Sequence, residues 1–314
     1  MKYLIPLCSL AASPLFASED IADQYPGSPL YSKPVEVIPN VFSAIGATAP
    51  PTYENAGHNN NLSFIITGDG VVVVNGGASY QLAHALHDEI KAVTDQPVKL
   101  VFDENGQGHA MLGNSYWADQ GVKIVAHVDA AAEFAAHGTQ SLRAAVSRVK
   151  ERADKTRVTP PTETFEDHYS ITMGDMQIEA KYLGPSHSPG DIVIWLPLQS
   201  LVISGDMAFH ERMLPIFEHT MTADWIETWD TKFEALEATY VIPGHGHPTN
   251  MDQVRRYTRD YLVYLREKVA MHLENDGDLT DAYYLDQSPY AHLDTFEELA
   301  TKNAGRVFEQ MEFE

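Results

Sequence analysis

Three short turns carry the residue types from which metal centres are built. His187 lies in Gly-Pro-Ser-His-Ser-Pro-Gly, Asp206 in Ser-Gly-Asp and His245 in Pro-Gly-His-Gly. Each follows an apolar run, at 177–183, 201–204 and 239–242 respectively. Imidazole nitrogen and carboxylate oxygen suit zinc or iron. A rigid strand fixes where such a side chain projects, and the loop after it leaves room for an ion. A lone histidine in a turn reads as a solvated residue. Three such groups, each at the end of a strand, read as one site.

The rest of the chain must bring those turns together. Residues 35–45 alternate like a strand, and 62–67 and 71–74 read as a strand pair around the tight turn Gly68-Asp69-Gly70. Leu82, Ala83, Leu86, Ile90 and Val93 recur at helical spacing over 79–93. A strand at 98–102, a helix at 108–118 and a strand at 123–126 follow. Residues 128–157 are helical, and Pro160-Pro161 ends that stretch. Strands are expected at 169–173, 177–183, 192–196 and 201–204, a helix at 223–238 and a strand at 239–242. From Met251 the chain is mainly helical, and no internal repeat is visible. This order predicts an α/β fold of two mixed sheets packed together and flanked by helices, an αββα sandwich.

Composition narrows the function class. The 314 residues hold 21 Lys and Arg against 44 Asp and Glu, a formal net charge of −23. Such a surface repels nucleic acid and anionic lipid heads, and long-range steering favours cationic or neutral ligands. A small-molecule substrate is the expected partner. Residues 1–17 have one Lys, an apolar run from Tyr3 to Phe16 and then small residues, the order of a signal peptide. That run is too short to span a membrane, so no membrane insertion is expected after its removal. The only cysteine, Cys8, lies inside it. A mature chain without cysteine has no disulfide, thiolate ligand or cysteine nucleophile, which fits a periplasmic or secreted location. Residues 18–34 read as an extended lead-in, 35–255 as the core domain, and 256–314 as a helical segment packed on the same domain.

Four spaced segments carry a family resemblance. AGHNNNLSFIITGDGVVVVNGG, VKLVFDENGQGHAMLGNSYW, YLGPSHSPGDIVIWLP, and the pair LVISGDM and YVIPGHGHPT occur in order over about residues 35–255. Together they resemble the metallo-β-lactamase superfamily, whose entry hairpin, H-x-H-x-D-H loop, third histidine, bridging aspartate and last histidine fall at these places. The resemblance implies the αββα sandwich, a hydrolase and a metal centre. The absence of a cysteine ligand and the position of Asp206 look more like the glyoxalase-type branch than the cysteine-ligated lactamases.

The departures are as informative. Alignment on Gly113-Asn114 puts Asn105, Gln107, His109 and Ala110 where the family has His, His, Asp and His, and Asn75 where it has an orienting Asp. Amide oxygens are weak zinc ligands, and alanine offers none. The resemblance therefore implies one ion rather than two, with His109, Asp206 and His245 as ligands and His187 a fourth ligand or proton shuttle. Asp206 and His187 are the candidate catalytic residues. Asn75, Asn105, Gln107, His58 and His247 are candidates for substrate contact or support of the ligands. Gly106 and Gly108 permit positive φ, and the helix after them would offer free N–H groups to an anion. His210, His219 and Trp225 would border the mouth of the pocket. His84 and His87, three apart on a helix, read as solvated. The leading expectation is an exported hydrolase with one zinc ion, acting on a small ester, thioester, lactone or lactam. One alternative is a metal-free relative that acts as a binding protein. The other is a non-haem Fe(II) oxygenase, since two imidazoles and one carboxylate also form that class of site.

Overall fold

The structure, a computed structural model, describes residues 25–314. The expected signal at 1–17 and the first part of the lead-in lie outside the described residues. The first sheet has seven strands in spatial order β1 (Val35–Ile38), β2 (Val41–Ala44), β3 (Leu62–Ile66), β4 (Val71–Val74), β5 (Val98–Asp103), β6 (Lys123–His127) and β7 (Glu163–Phe165). The first four pair antiparallel, and β4 to β7 pair parallel. The second sheet comprises β8 (His168–Met173), β9 (Met176–Tyr182), β10 (Ile192–Leu196), β11 (Leu201–Phe209) and β12 (Tyr240–His245). Its spatial order is β12-β11-β10-β9-β8, with β11 and β12 parallel and the remaining pairs antiparallel.

Apolar layers explain the stacking. Val72, Val74, Leu100 and Phe102 of the first sheet meet Ile178, Ile194, Ile203 and Ile242 of the second. The outer face of the first sheet, with Phe64, Val73 and Val101, packs on Leu82, Leu86 and Trp117. All four valines of β4 are buried, as a strand covered on both faces requires. The outer face of the second sheet, with Val202 and Val241, packs on Trp225, Leu262, Val269 and Val307. Helices after Met251 thus belong to the same apolar cluster as β11. The result is the expected αββα sandwich. Among the described residues no helix is long and apolar enough to cross a membrane.

Several elements differ from the sequence expectation. Residues 35–45 form a hairpin, turned at Asn40 with φ 70°. The expected helix at 108–118 is two pieces, Gly108–Met111 and Asn114–Asp119. The break has a cause: Gly113 N–H donates to Gly77 O at 2.6 Å, and a Cβ on Gly113 would lie 2.0 Å from Gly76 O. The long helix ends at Val149, and Lys150–Ala153 continues as a 3₁₀ turn. The helix expected at 223–238 is Thr222–Thr228, then a π turn at Trp229–Phe233 and a 3₁₀ turn at Glu234–Leu236. β11 runs nine residues, through Asp206, with register shifts on both sides of Gly205. Such a bulge re-aims a side chain without ending the strand.

Candidate metal centre

The site forms where β4, β5, β11 and β12 end or bend. Asp103 closes β5 and accepts from Gly76 N–H at 3.2 Å and Asn114 Nδ2 at 2.7 Å. Burial pushes its pKa up to about 7. Asn75 has φ 72°. Its Oδ1 accepts from Glu104 N–H at 3.1 Å, and its Nδ2 donates to Asn61 O at 3.3 Å. An amide therefore orients the loop where the family resemblance expects a carboxylate. Gly106 packs under the helix Val128–Val149, where a Cβ would lie 2.5 Å from Ala130 O. Gly106 and Gly108 serve close approach, since neither takes a positive φ. The N–H groups of Ala110 and Met111 donate to Gln107 O, so the later turn of this short helix is already satisfied.

The loop holding His187 is tied by Asp191, which accepts from Ser186 Oγ at 2.8 Å and from Ser188 N–H and Oγ at 2.6 Å each. Thr220 Oγ1 donates to His187 O at 2.7 Å. The His187 ring lies 5.0 to 5.7 Å, centroid to centroid, from Phe217, Phe209 and Trp225. His245 stacks on Phe209, with centroids 5.1 Å apart. Its Nδ1 makes a short contact to Asn59 O. With that nitrogen donating, the Nε2 lone pair faces Asp206, the usual second contact of a metal-binding histidine.

Asp206 is the hub. His245 Nε2 lies 3.3 Å from Oδ1, and His109 Nε2 and His187 Nδ1 each lie 3.5 Å from Oδ2. Asn105 Nδ2 donates to Oδ2 at 3.2 Å, and Gln107 Nε2 lies 3.2 Å from His187 Nδ1. One donor atom each from His109, Asp206 and His245 falls within 4.8 Å of the others. His109 Nε2 and Asp206 Oδ1 are buried with no hydrogen-bond partner. A divalent cation fits this donor set and would satisfy both atoms.

The electrostatics match. Burial alone pushes the Asp206 carboxyl up, but His109, His245 and His187 together hold it well below the usual carboxylate range. Burial holds His187 and His245 down at about 4, His245 further by Arg212. Burial also opposes charge on His109, but Asp206 and Glu104 outweigh it and raise its pKa.

The other candidates separate. His58 is fully buried away from the cleft and accepts from Tyr31 N–H at 2.8 Å through Nδ1, so it braces the lead-in instead of meeting substrate. His247 faces Glu211, with Nδ1 2.7 Å from Oε2, and does not line the cleft. His210 stands against Tyr257, while Trp225 is fully buried and donates to Met207 O, so neither borders the mouth. His219 does line it. His84 and His87 flank Tyr116, and His87 Nδ1 lies 2.7 Å from its hydroxyl. The sequence reading missed Glu104, buried beside His109 with Oε1 3.3 Å from Nε2. Its only signal was an acid directly after a buried strand and before a glycine-rich loop.

Above the cluster lies a cleft of about 590 Å³ between the loop at 51–57, the helix Val128–Val149 and the segment at 215–219. Leu112, Ala145, Val149 and Arg148 are among the residues that line it.

Comparison with known proteins gives a consistent result. The family model described as the metallo-beta-lactamase superfamily matches residues 109–245. A linear primary-alkylsulfatase of Pseudomonas sp. (strain ATCC 19151) is 26% identical over 121 residues, 35% of this chain and 22% of that protein. A metallo-beta-lactamase type 2 of Bacteroides fragilis is 32% identical over 90 residues, 27% of this chain and 36% of that protein. The matches thus span well under two thirds of these relatives. Among solved structures, a metallo-beta-lactamase from Pontibacter korlensis superposes with a TM-score of 0.59 at 19% identity, covering 73% of this chain and 98% of its own. That likeness shows the fold.

Proposed function

Because this chain belongs to the metallo-β-lactamase superfamily, a family of hydrolases, we propose that it is a hydrolase with one divalent cation, zinc before iron, held by His109, Asp206 and His245. The carrying observation is the convergence of those three donors within 4.8 Å in a buried site. A cation bound there would lower the pKa of its water and polarise a carbonyl or ester oxygen. A single ion is supported by what replaces the second set of ligands. Gln107 Nε2 sits 3.2 Å from His187 Nδ1, and Ala110 is buried without a donor atom.

The protein's own groups then have definite tasks. Asn105 fixes the orientation of the Asp206 carboxylate. His187, held neutral at pH 7 by burial, accepts and returns a proton at Nδ1, on the opposite side of Asp206 from His245. Arg212 lines the cleft beside His245, with Nη1 3.3 Å from Nδ1, and stabilises negative charge that grows during attack on a carbonyl. The substrate is a small ester, thioester, lactone or lactam. Arg148 lines the cleft without a carboxylate partner among the described residues, which favours one with an anionic group. The chain acts after export to the periplasm or medium, and sequencing the mature N-terminus near Ser18 checks this.

The reading is tested by assaying metal-loaded and chelator-stripped protein on an ester, a thioester, a lactone and a lactam. Hydrolysis of at least one, lost on stripping and restored by zinc, is expected. Absence of hydrolysis with a bound ion contradicts it. Oxygen uptake with ferrous ion would favour the oxygenase instead.

A further inference from the structure

The buried cluster contains one carboxylate more than the three-donor set uses. Glu104 directly follows β5, and its side chain is 2% exposed. Its backbone is pinned on both sides: the N–H donates to Asn75 Oδ1 at 3.1 Å, and the carbonyl accepts from Ile192 N–H at 2.8 Å. The side chain is therefore aimed by the first sheet toward β11. There it lies where Gly205, at φ 52°, leaves space, since a Cβ at that residue would fall 2.0 Å from Glu104 Oε2. Gly244 likewise leaves space beside Asp206, where a Cβ would lie 2.4 Å from Oδ1. Two glycines on adjacent strands thus give up side chains, one beside Glu104 and one beside Asp206.

Among the described residues neither Glu104 oxygen has a hydrogen-bond partner, although both are buried. A buried carboxylate costs several kcal/mol unless it takes up a proton or meets a compensating charge. His109 Nε2 lies 3.3 Å from Oε1 and also 3.5 Å from Asp206 Oδ2. Something positive belongs between the three atoms. A proton on His109 offsets one negative charge and leaves the other. A divalent cation offsets both and leaves the imidazoles neutral.

We propose that Glu104 is a ligand of the same cation as His109, Asp206 and His245, completing a two-imidazole, two-carboxylate centre. This rests on the metal reading given above. The set is oxygen-rich and charge-balanced for a divalent ion, so it selects Zn(II), Fe(II), Mn(II) or Co(II) over the soft Cu(I). It also differs from the ligand set drawn from the family resemblance, in which this position plays no part.

The test uses Co(II) and Zn(II) with the whole chain and its Glu104→Gln, Glu104→Asp and Asp206→Asn variants. Affinity is read by competition with a chromophoric chelator, ligand geometry by the visible cobalt spectrum, and folding by circular dichroism. The wild type is expected to bind one ion. Glu104→Gln, which keeps shape and loses charge, is expected to raise the dissociation constant at least about 100-fold and change the cobalt band. Glu104→Asp, which keeps charge and shortens the reach, should do the same and serves if the glutamine variant does not fold. Unchanged affinity and spectrum in a folded Glu104 variant, with Asp206→Asn still abolishing binding, overturns the Glu104 assignment alone. A wild type that binds no ion overturns the assignment together with the metal reading beneath it.

Discussion

Asp206 is the residue on which the centre converges, because three imidazoles surround one buried carboxylate. Asp206→Ala and His245→Ala are each expected to abolish metal binding. His84→Ala, whose side chain is 55% exposed on a distant helix, should leave it intact; equilibrium dialysis against zinc checks both. His58 makes a different, titratable contribution to stability. Burial lowers its pKa to about 3, while the unfolded chain titrates near 6.5. The unfolded state therefore binds the proton first, so this contribution is complete above pH 6.5 and is lost as the pH falls toward 3. Two pH units inside that window correspond to about 2.7 kcal/mol. His58→Asn, whose amide oxygen can still accept from Tyr31 N–H, should lose less stability than the wild type between pH 6.5 and 4.5. Urea midpoints at the two pH values check it, and equal losses would assign the acid sensitivity elsewhere.

At the scale of elements, most strands were legible because alternating or continuous apolar runs and glycine turns mark them. His187, Asp206 and His245 were legible because each lies in a glycine-flanked turn or bend at a strand. Two features were not. The bulge at Gly205 is shaped by the side chain of Glu104, just after β5, and the broken helix at 108–119 by Gly113 meeting Gly76 and Gly77 after β4. Both are tertiary contacts that local periodicity does not encode. Glu104 was missed for the same reason: its importance comes from Asp206, 102 positions away, and not from its neighbours in sequence. Gly205→Ala brings these contacts to a measurement. It forces a positive φ on a residue with a Cβ and drives that Cβ into Glu104. A loss above about 2 kcal/mol in urea unfolding is expected, together with weakened zinc affinity. A neutral result would mean that the bulge and Glu104 move apart freely.

The whole molecule is strongly acidic, and the sequence expectation was that steering favours cationic or neutral ligands. The cleft qualifies that expectation. Arg148 lines it, and its guanidinium has no carboxylate partner among the described residues. A positive charge on the cleft lining therefore opposes the long-range field. For a substrate with a remote carboxylate, Arg148→Glu should raise KM about tenfold with kcat nearly unchanged, since the group meets the substrate away from the reacting bond. A matched substrate without that carboxylate should be unaffected. Steady-state kinetics on the pair decides it, and a fall in kcat would place Arg148 in the chemistry instead.

The claim beneath all three scales is that His109, Asp206 and His245 hold one ion. Elemental analysis of protein purified without chelator, and again after adding zinc or ferrous iron, tests it most directly. Close to one ion per chain is predicted. A value below about a tenth of an ion per chain, unchanged by added metal in folded protein, would contradict the account and leave a metal-free binding protein in its place.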